Sequence, residues 1–185
     1  PAAGATPCDV GMGAAGRAMT PAAQERWRHI DILVNNAGVS HRPGPLEEIS
    51  EEDFDRMFHV NMKPVYLTAR TVVPHMKEKG QGVILNIAST AGVSPRPQLN
   101  WYNASKGWMI TATKTMAVEL AASNLRVNAI NPVAWETPPL ATFLGEDPPE
   151  RRAAFLPPLP LGRVTQPDRL GNAARHHCSD GAGPS

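Results

Sequence analysis

Three short apolar runs constrain the fold of this chain more than anything else in it: Asp31-Ile32-Leu33-Val34-Asn35-Asn36, Val83-Ile84-Leu85-Asn86-Ile87-Ala88-Ser89 and Arg126-Val127-Asn128-Ala129-Ile130-Asn131-Pro132. Each is rich in branched apolar side chains and closes on polar residues, as strands do. The second is apolar on both faces, the pattern of a parallel strand covered on two sides. Segments with helical spacing separate them. Ser50-Glu51-Glu52-Asp53 resembles a capping box with Ser50 as N-cap, and Phe54, Met57 and Phe58 follow it. Pro64 suits the first turn of a second helix. Its apolar stripe is Val65, Leu67, Val72, Val73 and Met76; Pro74 is expected to bend it, and Gly80 and Gly82 to end it. Residues 21–29 read as a helix leading into the first strand. Residues 102–123 read as a long helix ended by Asn124. Trp108, Met109, Ile110, Met116, Val118 and Leu120 cover more than one stripe of it, which predicts burial on more than one side. Alternating strands and helices predict an α/β, doubly wound parallel sheet, and 185 residues suit one domain spanning 1–185.

Composition excludes several classes of function. The net charge is +1, with no basic stripe interleaved with aromatics, so nucleic acid is not an expected partner. No apolar run approaches the roughly 18 residues that span a membrane, and no charged start with an apolar core marks a secretion signal. Cys8 and Cys178, the two cysteines, have no metal spacing around them and read as free thiols of a cytoplasmic protein. His176 and His177 are adjacent, so on a helix their side chains diverge by about 100 degrees and read as surface groups, not a metal site. No metal is expected.

The chemistry concentrates in Trp101-Tyr102-Asn103-Ala104-Ser105-Lys106. Tyr102 and Lys106 are four residues apart and share a helix face. A phenol has a pKa of about 10 and is a poor acid or base at neutral pH; a nearby ammonium favours the phenolate. A tyrosine tuned in this way can exchange a proton with a carbonyl or alcohol oxygen. Taken alone the pair is better read as a half-buried tyrosine and a solvated lysine, since such spacings arise often by chance. Ser89, at the end of the second strand, and Asn61, between the first two, remove that bland reading when all the motifs are taken in order.

That order, Asn35-Asn36-Ala37-Gly38, Asn61, Ser89, Tyr102-x-x-x-Lys106 and Asn131-Pro132, resembles the short-chain dehydrogenase/reductase family, over roughly residues 6–180 and most closely its beta-ketoacyl reductases. The resemblance implies a Rossmann-like fold and NAD- or NADP-dependent hydride transfer between the cofactor and a small-molecule ketone or secondary alcohol. Tyr102 would be the acid/base. Ser89 would hold the carbonyl oxygen. Lys106 would lower the Tyr102 pKa and hold the ribose, and Asn61 would hold a water of a proton relay. Asp9 and Val10 would meet the adenine, and Asn36, Ala37 and Gly38 the adenosine side. Pro132, Val133 and Thr137 would seat the nicotinamide, although the family places Gly where Val133 stands and Trp135 adds bulk. Residues 132–167 are proline-rich and fall where the family has its mobile substrate loop. The long helix would also pack against a partner subunit, giving a homo-oligomer at full length.

In the family's register the first two strands, most of the third and the last strand are expected to be missing, with Asp9-Val10 closing the third. The family's glycine loop has no counterpart near the start. Gly11-Met12-Gly13-Ala14-Ala15-Gly16 fits a Gly-x-Gly-x-x-Gly pattern, but the strand that follows ends in Asn-Asn, not in an acid. It reads as a glycine-diluted helix start. Two functions therefore stay open: an oxidoreductase, or a catalytically inactive fragment or binding module of the same fold. A bare sheet edge at Ile32, Leu33 and Val34 and poor stability on its own are further expectations.

Overall fold

The computed structural model describes residues 4–5, 7–133 and 166–179. Its elements run α1 (Gly13–Trp27), β1 (Ile32–Asn35), α2 (Glu51–Met57), a π-helical turn (Phe58–Met62), α3 (Lys63–Lys79), β2 (Gly82–Ile87), a 3-10 turn (Thr90–Gly92), α4 (Asn100–Leu120), β3 (Leu125–Ile130) and α5 (Pro167–Cys178). The described sheet has three parallel strands in the order β1-β2-β3, an incomplete Rossmann-like sheet.

Register explains the core. Leu33 pairs with Ile84, and Ile84 with Val127, so three apolar side chains line up across one face. Val72 and Met76 of α3 and Leu120 of α4 close over them in one buried cluster. Ile84 and Met76 are fully buried, worth roughly 1.5–3 kcal/mol each relative to exposure. Leu85 points to the opposite face, since strand side chains alternate; it too is fully buried, and α5 packs on β2 and β3.

Chain reversals follow local chemistry. Ser50 caps α2 by accepting the Asp53 N–H at 3.1 Å. Gly80 ends α3 at φ +72, a left-handed conformation that glycine adopts without steric cost. Asn124 ends the helix–turn after α4 at φ +58, and its Nδ2 donates to the Gly80 carbonyl at 2.9 Å. The expected stripe of α3 is buried, Val73 only in part.

Several expectations need correction. The first helix starts at Gly13, not at Pro21, which lies inside it; packing of α1 on α3 outweighs the hydrogen bond that proline removes. The two expected helices are present, with Pro64 in the first turn of α3, but a π-helical turn joins them into one continuous rod. The Lys63 N–H reaches back to the Phe58 carbonyl, and this wider turn accommodates Pro64, whose missing N–H would otherwise interrupt the ladder. Phe54 and Phe58 are about half exposed, as are Trp108 and, still more, Val118 at 82%, so α4 is buried along one side only. Helix α5 begins at Pro167, before Gly171. Among the described residues before Gly11 there is no strand. Leu33 belongs to the core; only Ile32 and Val34 are exposed on the edge strand β1, each at 46%.

An apolar, unpaired edge templates strand addition. Replacing Ile32 by Lys is expected to reduce self-association without lowering the thermal midpoint by more than about 2 degrees, since surface changes stay within about 0.5 kcal/mol. Sedimentation velocity and calorimetry check this; unchanged association would clear the edge of that role.

Candidate active site

The site is built where the three strands end. Just past β2, the Ala91 N–H donates to Ser89 Oγ at 3.1 Å, which fixes the hydroxyl and leaves its proton for another partner. The turn then runs against the backbone of α4. A Cβ on Gly92 would lie 2.6 Å from the Lys106 carbonyl carbon and 2.7 Å from the Gly107 nitrogen, so only glycine lets the two chains approach so closely. That approach sets Ser89 against the first turn of α4, where its side chain hydrogen-bonds Tyr102.

Lys106 follows one helical turn on. It is 4% exposed, and its Nζ donates to the Ile87 carbonyl at 2.9 Å. Burial pulls its pKa down to about 8. The ammonium lies 5.9 Å from the centre of the Tyr102 ring. Burial pushes the Tyr102 phenol above its ordinary value, opposed by the Ser89 hydrogen bond. Nζ is turned to the strand end, and desolvation dominates the shift of the phenol.

Asn61 is fully buried in the π-helical turn. Its Oδ1 accepts the Val39 N–H at 2.8 Å, and its Nδ2 donates to the Val39 carbonyl at 2.9 Å and to Ser105 Oγ at 3.0 Å. The side chain thus clamps the loop after β1 to the residue beside Lys106. Gly38 sits on top: a Cβ there would lie 3.2 Å from Lys106 Nζ and 3.6 Å from Asn61 Oδ1.

Asn36, Ala37 and Gly38 are exposed beyond β1. Asn36 and Ala37 border a cleft of about 160 Å³ with Val10, Val34, Val60 and Pro64. Asp9 precedes Val10 in the chain, its carboxylate paired with His59 Nε2 at 3.0 Å. On the other side, the carbonyl of buried Pro132 accepts the Thr90 N–H at 3.0 Å, and Val133 is 40% exposed beside it. Thr137, Trp135 and most of 132–167 lie outside the described residues. The structure thus brings together Ser89, Tyr102, Lys106, Asn61 and Gly38, places Val10 with Asn36 and Ala37 at a cleft, and pairs Asp9 with His59.

Sequence reasoning missed a polar network beneath the site. Asn35 Nδ2 donates to Asn86 Oδ1 at 2.8 Å, and Asn86 Nδ2 to Thr113 Oγ1 at 2.8 Å. Thr68 Oγ1 lies 2.9 Å from Asn35 Oδ1. The chain links α3, β1, β2 and α4 through their side chains. The signal was present, because Asn86 interrupts an otherwise apolar strand and a buried amide needs partners. His41 was also overlooked; it is fully buried, and its Nε2, like Asn103 Oδ1, has no hydrogen-bond partner among the described residues. Among those residues no cluster of metal-binding side chains occurs, and no helix is long and apolar enough to cross a membrane.

A family model described as enoyl-(acyl carrier protein) reductase matches residues 1–183. The chain is 46% identical over 176 residues to 4-formylbenzenesulfonate dehydrogenase of Comamonas testosteroni, covering 95% of this chain and 70% of that protein. It belongs to the short-chain dehydrogenase/reductase family. It is also 39% identical over 157 residues to a 3-oxoacyl-[acyl-carrier-protein] reductase of Thermotoga maritima, covering 84% of this chain and 61% of that one. Among solved structures, 3-ketoacyl-(acyl-carrier-protein) reductase from Brucella melitensis, complexed with NADH, superposes with a TM-score of 0.89 at 45% identity, over 95% of this chain and 70% of that one. The family members are dehydrogenases and reductases, and the chain spans 61–70% of the length of these three.

The buried ammonium gives a stability test with a definite sign. The Lys106 pKa is about 8 folded against 10.5 in the unfolded chain. Between those values the unfolded chain holds a proton the folded one lacks, so unfolding binds a proton and stability rises with pH. Tyr102, raised by burial, is present in both wild type and Lys106→Met, so the difference between them reports Lys106. From about pH 8 to 9.5 this group is expected to add about 2 kcal/mol. Urea unfolding of wild type and Lys106→Met should show that increment only in wild type; equal pH slopes would refute the burial of a charge.

Proposed function

We propose that this chain carries the proton-transfer site of an NAD- or NADP-dependent reductase of ketones and secondary alcohols, with Tyr102 as acid/base. The observation that carries the reading is the Tyr102 hydroxyl held by Ser89, with the Lys106 ammonium buried one turn beyond it. A phenol kept protonated by burial is a donor at neutral pH, which favours reduction of a carbonyl over oxidation of an alcohol. Ser89 stands beside that phenol and would share the same substrate oxygen, steadying charge as it develops.

A nicotinamide dinucleotide supplies the hydride when bound, and several features here fit one. An ammonium has three donors, and Ile87 takes one of them, so donors remain for ribose hydroxyls beneath Gly38. The cleft at Val10, Asn36 and Ala37 offers apolar walls at the carboxyl end of a strand, where open parallel sheets bind ligands. Pro132, Val133 and Thr137 are assigned to the nicotinamide side. Asn61 acts by clamping Val39, and a relay water would bind beside it. The segment Gly11–Gly16 is not the phosphate site, because the Gly11 N–H is already given to Asp9 Oδ1 at 2.9 Å and the segment opens α1.

That last point also favours the second reading, a binding module of the same fold without turnover, since no described loop cradles a pyrophosphate. The named activities of the relatives support the first. An exposed stripe on α4 of Trp101, Ala104, Trp108, Thr111, Thr115 and Val118 carries no charge; it supports a homo-oligomer in which α4 faces a second copy.

Tyr102→Phe keeps the ring and removes the proton, so ketone reduction is expected to fall by about two to four decades, with the circular dichroism spectrum unchanged. Wild-type turnover in that variant would sink the assignment. A wild-type chain that binds NADH and turns over no ketone or alcohol would establish the binding module instead.

A further inference from the structure

One polar cluster lies outside the proton-transfer site and has no part in the reading above. His59, in the π-helical turn, meets Asp9 across fifty residues of sequence, with Nε2 at 3.0 Å from Oδ2 and 3.1 Å from Oδ1. Asp9 Oδ1 also accepts the Gly11 N–H at 2.9 Å, and the Met12 N–H closes a turn onto the Asp9 carbonyl at 3.1 Å. Gly11 itself is pressed on His59: a Cβ there would lie 2.3 Å from the His59 carbonyl oxygen and 2.4 Å from its ring. The flanking residues Val10 and Val60 both line the 160 Å³ cleft. Among the described residues, the His59 imidazole thus joins the Asp9–Met12 turn to the helical rod.

We infer that His59 is a positioning residue for the adenine half of a dinucleotide, holding the Asp9–Met12 turn so that Val10 walls the cleft and fixing the orientation of the adjoining Asp9 carboxylate. The inference rests on the dinucleotide reading above. A carboxylate has about four acceptor sites, and His59 and Gly11 leave room at Asp9 for one more donor. An exocyclic amine of adenine is such a donor. The His59 hydrogen bond sets the plane of the carboxylate, and with it the direction in which the remaining lone pair points. The imidazole therefore acts through Asp9 and Val10, without touching the reacting atoms.

The test compares NADH with reduced nicotinamide mononucleotide, which lacks adenine, in fluorescence titrations of the whole chain. His59→Ala is expected to weaken NADH about five- to tenfold, the size of one charge-assisted hydrogen bond, and to leave the mononucleotide unchanged. His59→Gln, which keeps a donor, should restore NADH binding to within about twofold. Amide exchange at Gly11 should quicken in His59→Ala and not in His59→Gln. Asp9→Asn changes an exposed side chain and serves if His59→Ala does not fold; it should weaken NADH alone. Equal NADH affinity in the variants, or equal weakening of both probes, overturns the inference and leaves the proton-transfer reading intact. Failure of the wild-type chain to bind either probe overturns the dinucleotide reading and this inference with it.

Discussion

An ammonium taken almost wholly out of water, with the Ile87 carbonyl as its hydrogen-bond acceptor, is held against a desolvation cost of several kcal/mol. Such a group persists only where its surroundings cannot relax around it. Lys106 meets that condition because three neighbours are fixed by strand pairing, close backbone approach and a side-chain clamp. Ile87 ends a strand paired on both sides. Gly92 brings the turn after that strand into contact with the Lys106 main chain. Asn61 ties the loop over the ammonium to Ser105. The helix, the strand end and the loop are each placed by the need to enclose one charge, and the Ser89–Tyr102 contact follows from that placement.

The network below the site serves the same end. Asn35, Asn86 and Thr113 connect side chains from two strands and a helix within one hydrogen-bonded chain. Apolar packing alone would tolerate small slips between β1 and β2. An amide pair across Asn35 and Asn86, which are also register partners, does not, because a slip would leave buried polar groups unpaired. The polar residues that punctuate the apolar runs thus fix strand ends to within a hydrogen-bond length, which is the tolerance the proton-transfer geometry demands.

Legibility from sequence tracked how local the deciding physics is. The three strands, the Ser50 cap, Asn124 as terminator and the Ser89, Tyr102 and Lys106 set were readable because each is carried by periodicity, cap chemistry or fixed spacing. Pro21 misled because proline was read as a helix start, its cheapest position, whereas Pro64 does stand in the first turn of α3. In the structure α1 runs through Pro21 under tertiary packing, and a π turn absorbs Pro64. Trp108 and Val118 read as buried because apolar residues cover more than one stripe of α4, yet spacing cannot say whether a second layer exists to cover them. Lys106 raised the opposite difficulty. Sequence put a charge near a phenol, and only the burial of both could show that desolvation outweighs their attraction.

That balance bears on how such a site is used. A tyrosine whose pKa is raised in the free protein is a poor base and a good neutral acid. Lys106, with a pKa near 8, is mostly charged at neutral pH while lacking partners for two of its protons among the described residues. Any ligand that brings hydroxyls to Nζ would stabilise the ammonium and draw it from the Ile87 carbonyl. Whatever positive field Tyr102 then feels would depend on the ligand being present. The geometry gives the two groups separate partners, the ammonium bonded to the Ile87 carbonyl and the phenol to Ser89, so that a change at either one is felt by the other only through the space between them.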